Sequence, residues 1–510
     1  MKTWILEYLD IFSVKKNRKI VNRRAFVSAI LLCSVSASAQ STGKAIEFLP
    51  AAVYFDRPLQ EWDGFGFNYV ETAQTRDYEA NPQDYGGFSL LSESEKSEIT
   101  ELVFGAEGLD IDILKLFLDP WHQVHPDSGF DHRSTTKNML TFAKRGMLLA
   151  GGRGKEIEVI TTLYGPPPWA TLQEQIGGRD LDETATGDLI DYVLDWVRFL
   201  REQQLAVRYI SIHNEGEDFY RWDFESGLQR MERFDYNLYW PPEQVNRFVK
   251  RLADAIEGRG FKNLYVTNGE PSNWTRFLNW GYASALQNDP ETLSSLGLLT
   301  THGFLNGDFN RLSYGAASGK PLELIREIRP DLHAWITSYS WGEMDTRFIR
   351  MAHEHIYSVG VNALIPWAGI QHASNWIDGD PNPGTAIVVG DDGGYEVTTG
   401  YYLYKQLTSA GHRGMRVVET MAANPVSALI AFSGKDTVHP DTFVLTSRIG
   451  IWKLPFKIQL SGTKYTSFQA FRTSENGLEH YEEIGVFPAI DGTIVYDAPF
   501  GTVTTFIGVE

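Results

Sequence analysis

The sequence predicts an α/β fold: a (β/α)8 TIM barrel carrying an accessory C-terminal antiparallel β-sandwich. Three observations predict it. From about Trp62 to His412 eight short β-type runs alternate with longer helical-type segments. Nearly every run ends in polar or aromatic residues, as expected where barrel strands deliver side chains to an active face. After "YYLYKQLTSAGHRG" the runs become short and alternating, with turns between them and no helical period.

The chain opens with residues that read as an export signal. "KKNRKIVNRR" is a cationic stretch, "AFVSAILLCSVSA" a short apolar one, and "ASA" before Gln40 fits a cleavage site near Ala39. Arg23 and Arg24 also fit a twin-arginine variant of such a signal. A signal peptide over 1–39 predicts a periplasmic or extracellular protein. The one cysteine, Cys33, lies within it, so the mature chain has no thiol for disulfides, thiolate metal sites or nucleophilic attack. Seven basic and two acidic residues leave with it, taking the net charge from −19 to −24. Such a charge repels phosphate backbones, which excludes nucleic acid as a natural partner. No later apolar run reaches the roughly 20 residues of a membrane span.

The barrel is predicted over 62–412. Its strands are "WDGFGFNY", "DILKLFLDPWHQ", "IEVITTLYGPPPW", "VRYISIHNEGE", "LYVTNGEPSNW", "LGLLTTHGF", "HAWITSYSWGE" and "NALIPWAG". Segments such as "PPEQVNRFVKRLADAIEGRG" lie between them, with apolar residues at i, i+3 and i+4 and a glycine stop. A doubly wound open sheet is the alternative, but no Gly-rich phosphate loop follows any run. The sandwich is predicted over 413–510. The strand-like piece at 40–61, "AIEFLPAAVYFDRP" within it, can complete that sandwich from the N-terminal side.

Two carboxylates stand out at run ends, Glu215 after the fourth run and Glu343 after the seventh. Glycoside hydrolysis needs two carboxylates facing one bond, one to protonate the leaving oxygen and one to attack or to activate water. Strands four and seven face each other across a closed eight-strand barrel, so the two can meet at one substrate. Asn214 is placed to bind a sugar hydroxyl. An acid at Glu215 predicts a pKa raised by burial and by its charged partner. A metal reading of "HNEGE" would use His213, Glu215 and Glu217, which alternate along an extended strand; it lacks further ligands, and no metal and no cofactor is predicted. "DGDPNPG" lacks the glycine and the closing Glu of an EF-hand loop.

Rings supply the other half of a sugar site, because they stack on flat C–H faces while polar groups take the hydroxyls. The candidate substrate-binding residues are Asn68, Trp121, His122, Tyr164, Trp169, Asn214, Glu270, His302, Trp341, Trp367 and Trp376.

"DGFGFN", "GPPPWA", the "NE" after the fourth run, "WITSY" and "GYYLYKQLTSAGHRG" resemble glycoside hydrolase family 30 and its clan A relatives, over most of 46–510. The resemblance implies a retaining mechanism with Glu215 as acid/base. It also implies a nucleophilic Glu on strand seven, but "WITSY" has Ser338 at that position. Glu343 is the replacement candidate, with Asp345 behind it. A later carboxylate as nucleophile, an inverting mechanism with a more distant base, and an inactive site all remain open.

The expectation is a secreted glycosidase cleaving O-glycosidic bonds of a poly- or oligosaccharide. A polysaccharide lyase and a catalytically silent carbohydrate-binding protein are the alternatives. Arg76, Arg133 and Arg221 suit an acidic sugar. The insertion "ETAQTRDYEANPQDYGGFSLLSESEK" after the first strand suits exo action by closing one end of a cleft.

Overall fold

The computed structural model describes residues 48–71, 84–131, 136–230, 236–304, 319–372, 374, 384–422, 427–447 and 454–510. The readings placed on the export signal, Arg76, Arg133, Trp376 and "DGDPNPG" (378–384, of which only Gly384 is described) lie outside them.

Eight parallel strands close into a barrel in chain order: Gly64–Asn68, Ile113–Leu118, Glu158–Leu163, Val207–Ser211, Tyr265–Thr267, Leu296–Thr301, Ala334–Ser340 and Ala363–Trp367. Each lies in one of the eight expected runs. Their burial on both faces explains why they read as apolar runs, not as alternating ones. The lower interior is filled by Ile113, Ile160, Tyr209, Leu298, Trp335, Ala363 and Ile365. A larger apolar layer packs between the barrel and its outer helices.

Helix Glu93–Phe104 starts from a capping box in which Ser92 and Glu95 exchange side-chain and backbone bonds. Helix Lys137–Gly152 is capped by a side chain from outside it: the buried Glu71 carboxyl group accepts from the amides of Asn138 (3.0 Å) and Met139 (2.9 Å). No helix among the described residues is long and apolar enough to cross a membrane.

Leu49–Glu61 does not join the barrel. It pairs antiparallel with Arg416–Ala422 and parallel with Leu454–Ser461 inside a nine-stranded sheet. That sheet is otherwise antiparallel and folds over on itself. Tyr496, on one edge strand, packs against Phe487 on the other edge at 5.5 Å and against Phe506 at 5.3 Å. The fold-over makes a two-layer sandwich around its own core, which includes Val53, Phe443, Phe456 and Phe468. The last barrel helix, Thr399–Thr408, braces it: Thr505 donates to the Gln406 carbonyl (2.7 Å), and Gln406 donates to Thr473 (2.9 Å).

Candidate active site

Side chains of one strand alternate between the barrel interior and its exterior. Counting upward by two from the lower core therefore names the residues that reach the mouth. Ile113 leads to Lys115 and then Phe117; Ile160 to Thr162 and then Tyr164; Leu298 to Thr300 and then His302; Ala363 to Ile365 and then Trp367. The structure brings these residues together.

At the floor of the mouth the Lys115 ammonium donates to Glu270 Oε2 at 2.6 Å, to the Thr337 carbonyl at 3.1 Å and to Ser338 Oγ at 3.3 Å. Thr162 Oγ1 donates to the other Glu270 oxygen at 2.7 Å. Burial alone would raise the Glu270 pKa, but Lys115 and His302 overcome it and bring the carboxyl down to about 2. Burial lowers the Lys115 pKa more than Glu270 restores it.

His302 stands between two carboxylates. Its Nε2 is 3.0 Å from Glu270 Oε2, and its Nδ1 is 3.0 Å from Glu215 Oε1. The backbone sets this alignment. Asn214 and Glu270 form a parallel bridge; the Glu215 amide donates to the Glu270 carbonyl (2.8 Å), and the Glu270 amide to the His213 carbonyl (3.0 Å). The chain then turns sharply, and Glu215 adopts a left-handed φ of 42°. Such a conformation is uncommon outside glycine and concentrates at functional sites. Gly269 (φ 82°) is required opposite: a Cβ there would lie 2.2 Å from the His213 ring.

Glu215 lies at the lip of the mouth, its side chain 17 % exposed. Arg221, from the turn Phe219–Arg221, forms an ion pair with its Oε2. Burial pushes the Glu215 pKa up, yet Arg221 and then His302 pull it down further, so the resting group is a carboxylate. The expected raised pKa is thus overturned, because a guanidinium and an imidazole both bond this acid. Arg221 in turn is taken up by Glu215, so it is not the free cation an acidic sugar would require.

An aromatic wall rises beside this network. Trp367 and Tyr164 stack with ring centroids 6.4 Å apart, and Phe117 meets both edge-on. Tyr236 continues the wall against Tyr164 at 5.7 Å, and Trp121 donates its indole N–H to the Tyr236 hydroxyl at 2.9 Å. Gly165 permits this approach, since a Cβ there would lie 1.8 Å from the Tyr236 carbonyl oxygen.

Other expected residues go elsewhere. The buried His122 packs against Trp196 of helix Thr186–Glu202, on the outside of the barrel. Trp169 is half-buried and donates to the Gln123 carbonyl at 3.2 Å. Asn68 accepts from the Gly369 amide at 3.0 Å, a strand-end bond. The Asn214 and Asn237 amides meet at 2.8 Å. His213 lies beneath Gly269 and stacks on Trp240, and the buried Glu217 accepts from the Ser272 amide and from Arg276. The three side chains of the "HNEGE" metal reading therefore do not converge.

Strand seven departs most from expectation. Its register slips between Ile336 and Tyr339, which brings Ser338 to Lys115 while Tyr339 packs outward on Phe348 and His355. Beyond it Trp341 is fully buried in the outer layer, stacked on Phe348 and edge-on to Tyr404. Glu343 follows on an exposed turn beside Arg347, whose charge it influences. Thr346, just beyond, is tied by its amide and hydroxyl to Glu475 of the sandwich. The slip reverses the strand's inward set and carries Trp341 outward, and Glu343 lies past the strand end, on the turn between Gly342 (φ 55°) and Met344 (φ 50°). Asp345 caps helix Thr346–His353.

No family model and no curated protein sequence matches the chain. Solved structures do. A GH30 endoxylanase from Clostridium papyrosolvens superposes with a TM-score of 0.66 at 17 % identity, covering 90 % of this chain and 100 % of its own. The fold is that of the family 30 glycoside hydrolases. SrfJ from Salmonella typhimurium has a TM-score of 0.68 at 12 % identity, covering 92 % of this chain and 95 % of its own. An endo-β1,6-glucanase has a TM-score of 0.65 at 13 % identity, covering 93 % and 98 %.

Proposed function

We propose that the protein is an exported glycoside hydrolase acting on a poly- or oligosaccharide, with Glu215 as the catalytic acid. The observation that carries this reading is the placement of Glu215. It is a partly open carboxylate at the C-terminal end of barrel strand four, beside an aromatic wall and above a buried, charge-compensated floor. The glycoside hydrolases that share the fold, and the N-terminal sequence with its cleavage-site pattern, support the same reading.

The second carboxylate of this site is Glu270, in place of Glu343. Its carboxylate lies under the mouth, compensated by Lys115, and bonds the edge of His302 turned away from Glu215. An imidazole ring separates it from Glu215, whereas a retaining pair stands only about 5–5.5 Å apart. With Ser338 at the position of the strand-seven nucleophile, the site favours single displacement by water and inversion at the anomeric carbon, where the resemblance implied retention.

The test is release of reducing ends from plant, algal and microbial glycans by wild type and Glu215→Gln. Cleavage by wild type that is lost in the variant supports the reading. Glycan binding by both, with cleavage by neither, would make the protein a carbohydrate-binding one.

A further inference from the structure

A resting carboxylate cannot protonate a leaving group. If Glu215 is the acid, its proton must be stored within reach, and the geometry identifies the store. Neutral imidazole has one N–H and one lone pair, whereas His302 makes 3.0 Å contacts to carboxylate oxygens through both nitrogens. With both carboxylates ionised, a neutral ring would set one lone pair against an oxygen. One extra proton therefore belongs to the chain Glu270–His302–Glu215. Glu270 already accepts from Lys115 and Thr162, and Glu215 from Arg221. Each carboxylate is thereby held as an anion, which leaves the ring as the place for the proton.

We infer that His302 holds, in the resting protein, the proton that Glu215 delivers to the glycosidic oxygen. The inference deepens the reading of Glu215 as the acid and rests on it. Glycan entering between Glu215 and Arg221 separates that ion pair and raises the proton affinity of the carboxylate. The Nδ1–H bond then breaks as the Oε1–H bond forms, and His302 becomes neutral while its Nε2–H still binds Glu270. Glu215 next gives the proton to the glycosidic oxygen as the C–O bond breaks. Water adds to the anomeric carbon from the opposite face and sheds its proton to the solvent, and the solvent returns a proton to Glu215 and on to Nδ1. Atoms and charge balance with water as the one co-reactant.

The charged and titratable groups facing His302 agree. Burial lowers its proton affinity, but the bonds to Glu215 and Glu270 raise it further, for a net upward shift. His213, on which His302 acts, has its pKa pushed down to about 3 by burial and so adds no positive charge at neutral pH. Phe304 supplies an edge-on ring 5.1 Å away. His302 is thus a positioning and proton-holding residue, and Glu215 is the group that touches substrate.

Two readouts test this. In the full chain labelled with 15N-histidine, the His302 resonances are those missing from His302→Gln. At pH 7 both ring nitrogens should resonate as imidazolium, and in Glu270→Gln that state should be lost at lower pH. A neutral His302 in wild type at pH 7 overturns the inference. If His302→Gln does not fold, the signals that move between wild type and Glu270→Gln make the same assignment. The second readout compares an unactivated oligosaccharide of a cleaved glycan with the matching 2,4-dinitrophenyl glycoside, whose leaving group needs no proton. His302→Gln should lose about 100-fold or more in kcat on the first and less than about 10-fold on the second. Equal losses on both mean a merely structural histidine and overturn the inference. Failure of wild type to cleave any glycan defeats the functional reading instead, and the NMR result stays decisive for the proton.

Discussion

Lys115 and Glu270 meet at 2.6 Å on the floor of the barrel mouth, each with no side-chain exposure. They come from strand two and from just past the end of strand five, 155 residues apart in sequence. Neither charge is tolerable alone at that depth. Lys115→Met should therefore destabilise the protein by about 3–5 kcal/mol in urea unfolding, and adding Glu270→Gln should recover part of the loss. A loss under about 1 kcal/mol would contradict a fully buried pair.

The same pair sets an acid limit. The Glu270 carboxyl titrates near 4.5 when unperturbed and near 2 in the folded chain. The folded state binds this proton less tightly, so the contribution is complete above about pH 4.5 and is lost as pH falls toward 2. Urea midpoints measured across that range should fall more steeply for wild type than for Glu270→Gln. Parallel curves would place the acid sensitivity elsewhere.

Much of this arrangement was legible in the sequence, and the rest failed for a physical reason. The eight strands were visible because each is buried on both faces and reads as an apolar run. Glu215, Glu270, His302, Tyr164 and Trp367 were visible as polar or aromatic run ends. Lys115, Thr162 and Phe117 were passed over although strict alternation from Ile113 and Ile160 points to them. Tyr236 has no such signal, since a loop brings it in. Trp341 misled because a register slip within strand seven reverses which residues face inward, and composition does not mark that slip; Glu343 misled because the chain turns at Gly342 before reaching it. His122 misled for a related reason: run-end position alone does not say which side of the wall a ring takes.

Glu343 is the sharpest case. It lies on an exposed turn beside Arg347, just before the contacts to Glu475. Glu343→Gln should keep glycan cleavage within about twofold of wild type, as for an ordinary surface substitution. A loss of 100-fold would return it to the role of second carboxylate.

Tyr220 neighbours Arg221 and is 78 % exposed. An open ring on the turn that carries Arg221 suits a sugar face, at about 0.5–1.5 kcal/mol per stacked ring. Tyr220→Ala should raise KM about 2- to 10-fold and leave kcat and Tm unchanged. The control is Leu148→Ser, which is 79 % exposed on a helix outside the barrel; it should change neither parameter. An unchanged KM in Tyr220→Ala would remove Tyr220 from the cleft.

The product anomer tests the chemistry at strand seven. Proton NMR of the first-formed sugar should show inversion, as displacement by water demands. Retention would require a covalent intermediate on a carboxylate, and trapping it would name the residue.

The most direct measurement is the rate of glycosidic cleavage by Glu215→Gln against wild type. General acid catalysis contributes about 10²- to 10⁴-fold. The variant should lose that much on a natural glycan, while its circular dichroism stays that of the wild type and it still unfolds in one cooperative step. A folded Glu215→Gln protein that cleaves the glycan at the wild-type rate would contradict the account.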